Sequence, residues 1–356
     1  MLVTMPPRFW PKGGFPGILH HYTETLVTFE FTSPAATKQP HSILFLGGLG
    51  DGLATTEYLS DLVRALQPKD WSIFSLTLTS SYQSWGHGHL DRDTDEIARC
   101  IQYIKEYKAA KYGKADKNRI VLMGHSTGSQ CVLHYLSRPN PHPDPAPAFD
   151  PNLAHVVRPV LDGAIMQAPV SDREAVQWVV HEGFLGRSPA QLKETYDALV
   201  RLARECVAKD KEYDTMLPIS LTCQFGYAIN TSISCRRFLS LVSPESPSSP
   251  SEDDLFSSDL GKEQLTKSFG MVRQRGLLKG RLMVLMSGAD QAVPDWVDKE
   301  QLLTRWKDVI GDDIWHPDSG IIPNASHALS NDDQAVPRAV LVKRVLGYLA
   351  GLQEGS

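Results

Sequence analysis

The sequence predicts an α/β protein: a mostly parallel, doubly wound sheet with a mainly helical cap inserted late in the chain. Three observations carry this expectation. Short apolar runs at 43–46, 120–123, 163–167 and 282–286 are interleaved with amphipathic helical patterns. Continuous apolar strands of this kind are buried on both faces by crossover helices. The run Ile120-Val121-Leu122-Met123 leads straight into Gly124-His125-Ser126-Thr127-Gly128 and a helical pattern, so a serine stands at the apex of a strand-turn-helix. Finally, the alternation stops at Asp172 and resumes only at Arg281. Residues 1–171 and 280–356 are therefore expected to form the core, and 172–279 a cap that is not an independent domain.

Residues 25–31 alternate apolar and polar and suit the antiparallel edge of the sheet; a polar turn over 33–41 follows. The strand at 43–46 ends in Gly47-Gly48-Leu49-Gly50-Asp51-Gly52, whose glycines let backbone N–H groups face a ligand. A phosphate cradle is disfavoured, because no Lys-Ser/Thr follows and Gly-x-Gly-x-x-Gly does not fit. An amphipathic helix is expected over 56–66 and a strand over 71–76. Residues 79–91 are expected as a polar loop; its His87 and His89 lack further ligands nearby, which argues against a metal. Asp93 with Glu96 predicts a helix start, and Ile97, Cys100, Ile101 and Ile104 its buried stripe.

After the helix that follows Ser126, the proline-rich stretch 137–159 is a surface loop. Within the cap, Ser188-Pro189 with Gln191 forms a capping box, and Leu192, Tyr196, Leu199, Ala203 and Val207 share one face of the helix it starts. Residues 243–258, rich in Ser, Pro, Asp and Glu, suggest a mobile loop. Trp178, Phe184 and Phe225 are candidate pocket-lining residues that serve equally well as plain cap core. A strand at 282–286 and a closing amphipathic helix over 335–352 complete the chain.

A 356-residue chain that is 42% hydrophobic can bury a full core. Its net charge of -5 shows no basic excess that would favour nucleic acid or an anionic membrane. Cys100, Cys131, Cys206, Cys223 and Cys235 are scattered without a Cys-x-x-Cys pair, as expected of thiols in a reducing compartment. The first sixteen residues carry Arg8 and Lys12 but no apolar run of the signal-peptide kind, and residues 354–356 match no common address. No stretch approaches the ~20 apolar residues that span a bilayer. The expected location is the cytoplasm; composition does not fix the oligomeric state.

The chemistry follows from Ser126. A hydroxyl is a poor nucleophile unless it stands clear of its sheet and meets a base and an oxyanion hole together, which a Gly-x-Ser-x-Gly turn arranges. Thr127 N–H and, in the glycine loop, Leu49 N–H are the expected oxyanion donors. Asp290 follows a late strand, where the acid that orients a histidine is expected; Asp172 is the reserve. His327, before the final helix, completes the order Ser, Asp, His along the chain. His316 after Trp315, in an expected strand, is a weaker base, and His125 is expected to pack or bond locally. No metal or organic cofactor is called for, and the partner is a small-molecule ester.

Four blocks, Gly124-His125-Ser126-Thr127-Gly128-Ser129-Gln130, Gln167-Ala168-Pro169-Val170-Ser171-Asp172-Arg173-Glu174, Asp254-Leu255-Phe256-Ser257-Ser258-Asp259-Leu260 and Ser326-His327-Ala328-Leu329-Ser330-Asn331, resemble signatures of a fungal and plant α/β-hydrolase family once listed as of unknown function. The resemblance runs from about residue 47 to residue 352. The chain departs from the pattern at Ser129 and Gln291, where Cys and Glu are expected. Fungal members include intracellular esterases for fusarinine-type hydroxamate siderophores. The resemblance implies a Ser126, Asp290, His327 triad hydrolysing carboxylic esters, with a ferric siderophore as substrate so that iron is released. A general carboxylesterase, lipase or thioesterase, an acyltransferase, and a non-catalytic receptor stay open as alternatives.

Overall fold

The structure is a computed structural model that describes residues 14–33, 38–113 and 117–354. The expectations for Arg8, Lys12 and the last two residues lie outside the described residues.

Eight strands form one sheet: β1 (Gly17–His21), β2 (Val27–Phe31), β3 (His41–Leu46), β4 (Trp71–Leu76), β5 (Ile120–His125), β6 (Gly163–Gln167), β7 (Leu282–Ser287) and β8 (Gly320–Ile322). Their order is β1-β2-β4-β3-β5-β6-β7-β8. β1 and β2 make the expected antiparallel margin, and every pairing from β4 to β8 is parallel. Alternation along each apolar strand feeds two cores. Leu122, Ala164, Met166, Val284 and Met286 face α2 (Leu90–Tyr112), α3 (Thr127–Ser137) and α10 (Lys299–Ile310), while Val121, Met123, Ile165, Met283 and Leu285 face α1 (Leu59–Leu66) and α11 (Ala335–Glu354). The sheet is thus doubly wound, as the continuous apolar runs required.

Several elements differ from the sequence expectation. α1 starts at Leu59, because Thr56 spends its hydroxyl on Asp51 and is part of the preceding loop. α2 starts at Leu90, capped by the His89 ring; Asp93 sits inside its first turn, buried and bonded to Ser80, and Glu96 accepts from Thr79. A 3-10 turn over Tyr82–His87 occupies the expected loop. His316 is not in a strand: Trp315 makes only a single bridge to Leu282, and the strand is β8, too short to leave a pattern.

Between Asp172 and Arg281 lie α4 (Asp172–Glu182), α5 (Pro189–Val207), α6 (Ile219–Thr222), α7 (Cys235–Val242), α8 (Lys262–Lys267) and α9 (Met271–Arg275). The capping box at Ser188 and Gln191 is present, and Leu192, Leu199 and Ala203 are buried, but Val207 is exposed where α5 runs out. This region divides by packing. Val176, Leu192, Leu199, Phe225, Phe238 and Leu241 form a cluster of their own together with Trp85. Phe256, Leu265, Phe269 and Val272 instead join the body core, where the Phe269 ring stacks on Trp306 at 5.1 Å.

The stretch 243–258 is not a mobile loop. Arg237 binds both carboxylate oxygens of Asp253 at 2.6 Å, Arg236 binds Glu252 at 2.8 Å, and Ser246 and Ser257 donate to Asp254. Polar composition here reflects a buried network rather than solvation, since Ser243, Asp253, Asp254 and Ser257 are all buried. None of the five cysteines is in a disulfide; Cys100, Cys131 and Cys235 are buried and Cys206 and Cys223 half-buried. Among the described residues no helix is long and apolar enough to cross a membrane.

Candidate active site

The carboxyl ends of the parallel strands carry every candidate residue. Ser126 follows β5, Asp290 lies beyond β7, His327 beyond β8, and Leu49 beyond β3. Loops at this edge converge because parallel strands all end on the same side.

Ser126 has φ 53° and ψ -122°, a left-handed conformation that a side chain rarely adopts. The strain is held on both sides. Ser126 N–H donates to the Gln167 carbonyl at 2.9 Å, and Ser129 Oγ donates to the Gly124 and Gln167 carbonyls at 3.1 Å each. The flanking glycines are required by contact: a Cβ on Gly128 would stand 2.7 Å from the carbonyl oxygens of Leu46 and Gly47, and one on Gly124 would overlap the Gly128 carbonyl. Ser129, where Cys was expected, therefore serves the turn directly.

The three expected side chains meet. Ser126 Oγ lies 2.8 Å from His327 Nε2, and His327 Nδ1 lies 2.8 Å from Asp290 Oδ2. With Nδ1–H donating to the carboxylate, Nε2 is left free to accept from the serine. Asp290 is held by the Ala292 N–H on its other oxygen at 2.8 Å, and its side chain is 1% exposed against 17% for His327. His327 N–H donates to Gln291 Oε1 at 3.0 Å, so the glutamine that stands where Glu was expected braces the histidine loop. Asp290 does not cap a helix; Asp298 caps α10. The reserve acid Asp172 is taken by Gln130 Nε2 at 2.7 Å, at the start of α4, and burial pushes its carboxyl up to about 6.

His125 points into the body, T-shaped to Tyr58, with Nδ1 2.6 Å from Gln167 Oε1. Burial, then the neighbouring His327, push its imidazole down to about 4. His89 is held by Asp150 at 2.8 Å, and His316 lies against Tyr348. Gln167 opens one of the four resemblance blocks but was given no role from the sequence, yet it holds His125, Ser126, Ser129 and Ser287.

Across the cleft, the glycine loop runs over Ser126: a Cβ on Gly48 would be 2.8 Å from Ser126 Cβ and 3.3 Å from Oγ. Among the described residues neither the Leu49 nor the Thr127 N–H has a hydrogen-bond partner. A cavity of about 40 Å³ adjoins Gly48, Leu49 and Thr127 and is closed by Trp85, Asp93 and Arg237. Ser126 itself is 8% exposed. Of the candidate lining residues, Phe225 is buried in the cap cluster, Trp178 is half-buried and Phe184 is exposed. Among the described residues no group of three His, Cys, Asp or Glu could hold a metal ion.

A family model described as "Protein of unknown function (DUF1749)" matches residues 5–350. The chain is 65% identical over 354 residues to "Fusarinine C esterase sidJ" of Aspergillus fumigatus, covering 98% of this chain and 99% of the relative. A solved structure titled "Siderophore hydrolase EstB from Aspergillus fumigatus" superimposes with a TM-score of 0.83 at 62% identity, covering 96% of this chain and 100% of that one. A more distant structure, "Alpha/Beta hydrolase fold protein of unknown function", gives a TM-score of 0.54 at 15% identity over 96% of both chains and shares the fold alone.

Proposed function

The chain belongs to the DUF1749 family of α/β hydrolases, and from that premise we propose that it is a serine esterase acting on carboxylic esters of a hydroxamate siderophore of the fusarinine type. The single observation that carries the chemistry is the relay in which Ser126 Oγ, His327 and Asp290 are linked by two contacts of 2.8 Å. In this reading His327 Nε2 takes the proton as Ser126 attacks the ester carbonyl, and Asp290 fixes the tautomer and stabilises the imidazolium. Leu49 and Thr127 N–H groups hold the oxyanion. His327 then protonates the leaving alcohol, and water repeats the cycle on the acyl-enzyme. Iron arrives with the substrate and leaves once the ester frame is cut.

The substrate reading is supported by the fusarinine C esterase and the siderophore hydrolase structure of Aspergillus fumigatus, at 65% and 62% identity. A cytoplasmic site of action fits thiols that form no disulfide. The cap of this enzyme is the part of 172–279 that packs with Phe225 and Phe238, and the remainder belongs to the body. Ser126 is only 8% exposed, and opening of the helices above it is the route proposed for a siderophore to reach the hydroxyl.

Purified protein incubated with ferric fusarinine C and followed by mass spectrometry is expected to give linear hydrolysis products, and Ser126→Ala none. Intact cyclic ester after long incubation, with simple esters still cleaved, would leave a general carboxylesterase in its place. Substantial ester hydrolysis by Ser126→Ala would remove the triad.

A further inference from the structure

Resting on that esterase reading, we infer that Asp51 is a positioning residue which sets the Leu49 N–H as an oxyanion donor. The loop 47–52 is closed on itself from both sides: Asp51 N–H donates to the Gly48 carbonyl at 3.0 Å, and Gly48 N–H donates to Asp51 Oδ2 at 2.7 Å. Gly50, at φ +83°, supplies the left-handed turn between them. The carboxylate is in turn held by Thr55 Oγ1 on Oδ1 at 2.7 Å and Thr56 Oγ1 on Oδ2 at 3.1 Å, while Thr55 Oγ1 also accepts the Gly52 N–H at 2.9 Å.

Two consequences follow for the amides beside Ser126. Gly48 lies against the nucleophile but its N–H is spent on Asp51, so it is not an oxyanion donor. The next amide, Leu49, has no partner; the peptide that carries it is held through its Gly48 carbonyl by Asp51 N–H, and the Asp51 side chain holds the peptide before it through Gly48 N–H, so the two bonds together orient the Leu49 amide. A flexible glycine-rich loop would lose this alignment, and an oxyanion donor acts only when preorganised. A carboxylate near developing negative charge would by itself oppose the reaction; three donors on its two oxygens offset that charge, which makes its value geometric. A geometric role predicts that asparagine, which keeps an acceptor for Gly48 N–H, replaces it far better than alanine.

The test compares wild type, Asp51→Ala and Asp51→Asn on p-nitrophenyl butyrate, with inhibition by butylboronic acid as a mimic of the tetrahedral intermediate and labelling of Ser126 by a fluorophosphonate. Loss of one aligned donor implies that Asp51→Ala lowers kcat about 100-fold, with KM within about threefold and boronate affinity falling in parallel with kcat. Asp51→Asn is expected to recover most of kcat. An Asp51→Ala enzyme with kcat within about threefold of wild type, or an Asn variant no better than Ala, overturns the assignment. Thr56→Val, which removes the hydroxyl that anchors the same Asp51 oxygen as the Gly48 N–H and so loosens that bond, is the check if Asp51→Ala does not fold: kcat should fall with KM held, and an unchanged kcat overturns the assignment. Absence of turnover and of Ser126 labelling in wild type takes down the esterase reading itself, whereas an active wild type with an indifferent Asp51 removes only this inference.

Discussion

Ser126 is held at φ 53° by its neighbours, and each neighbour has a testable cost. Gly128→Ala would put a Cβ 2.7 Å from two backbone carbonyls that cannot retreat without moving β3, so it is expected to lose activity and several degrees of Tm together. Asp290→Asn keeps the shape of the acid but offers an amide that favours the wrong histidine tautomer. It should lower kcat on the order of 10⁴-fold, with Tm near wild type and Ser126 still in place; steady-state kinetics with a chromogenic ester and a thermal melt check both halves. The candidate residues were legible because each sits beside local punctuation: a Gly-x-Ser-x-Gly turn, an acid after a strand, a histidine before the last helix. Gln167 was not, since its four partners come from two other strand ends and nothing in its own neighbourhood marks them.

At the scale of elements, α2 shows how a burial pattern misleads. Asp93 looks like a cap because acids favour helix starts, yet the chain begins the helix three residues earlier and carries the carboxyl inside. Burial there pushes it from an ordinary 3.8 up to about 7. Between those values the unfolded chain has released a proton that the folded protein keeps, so folding takes up a proton and stability declines as pH rises through the window. Asp93→Asn escapes this, and its stability relative to wild type should grow from about pH 4 to about pH 7, by no more than about 1.4 kcal/mol per pH unit and with a rising Tm difference. Melts of the two proteins across that range decide it; an advantage that is constant with pH rules the buried acid out. In α5 the expected box is formed, and Ser188→Ala should cost about 1 kcal/mol by denaturant unfolding.

For the molecule as a whole, the question is how residues 172–279 are joined to the sheet. Arg237 of α7 binds the Trp85 carbonyl at 3.2 Å and Asp253 at 2.6 Å, so one buried guanidinium ties α7 to the loop before α2 and to the chain returning to the sheet. Arg237→Ala would leave Asp253 buried and uncompensated, at an expected cost of about 3–5 kcal/mol in chemical denaturation. If cap opening admits the substrate, turnover of a bulky siderophore ester should slow with added viscogen more than turnover of a small butyrate ester. Equal viscosity dependence for the two would argue that the site is open without cap movement.

The sheet, its parallel sense and the three side chains that meet at its edge could be read from the sequence alone, since strand burial, turn strain and chain order are properties of short stretches. What the sequence could not settle is the role of polar residues within 172–279 and around the glycine loop. Ser243, Asp253 and Asp254 have the composition of a solvated loop, and Asp51 that of an ordinary turn. Only folding brings Arg173 and Arg237 to Asp254 and Asp253, and bonds between residues distant in sequence leave no periodicity to detect; Thr55 and Thr56 lie near Asp51 in the chain, but a loop has no repeat that would mark them as its partners.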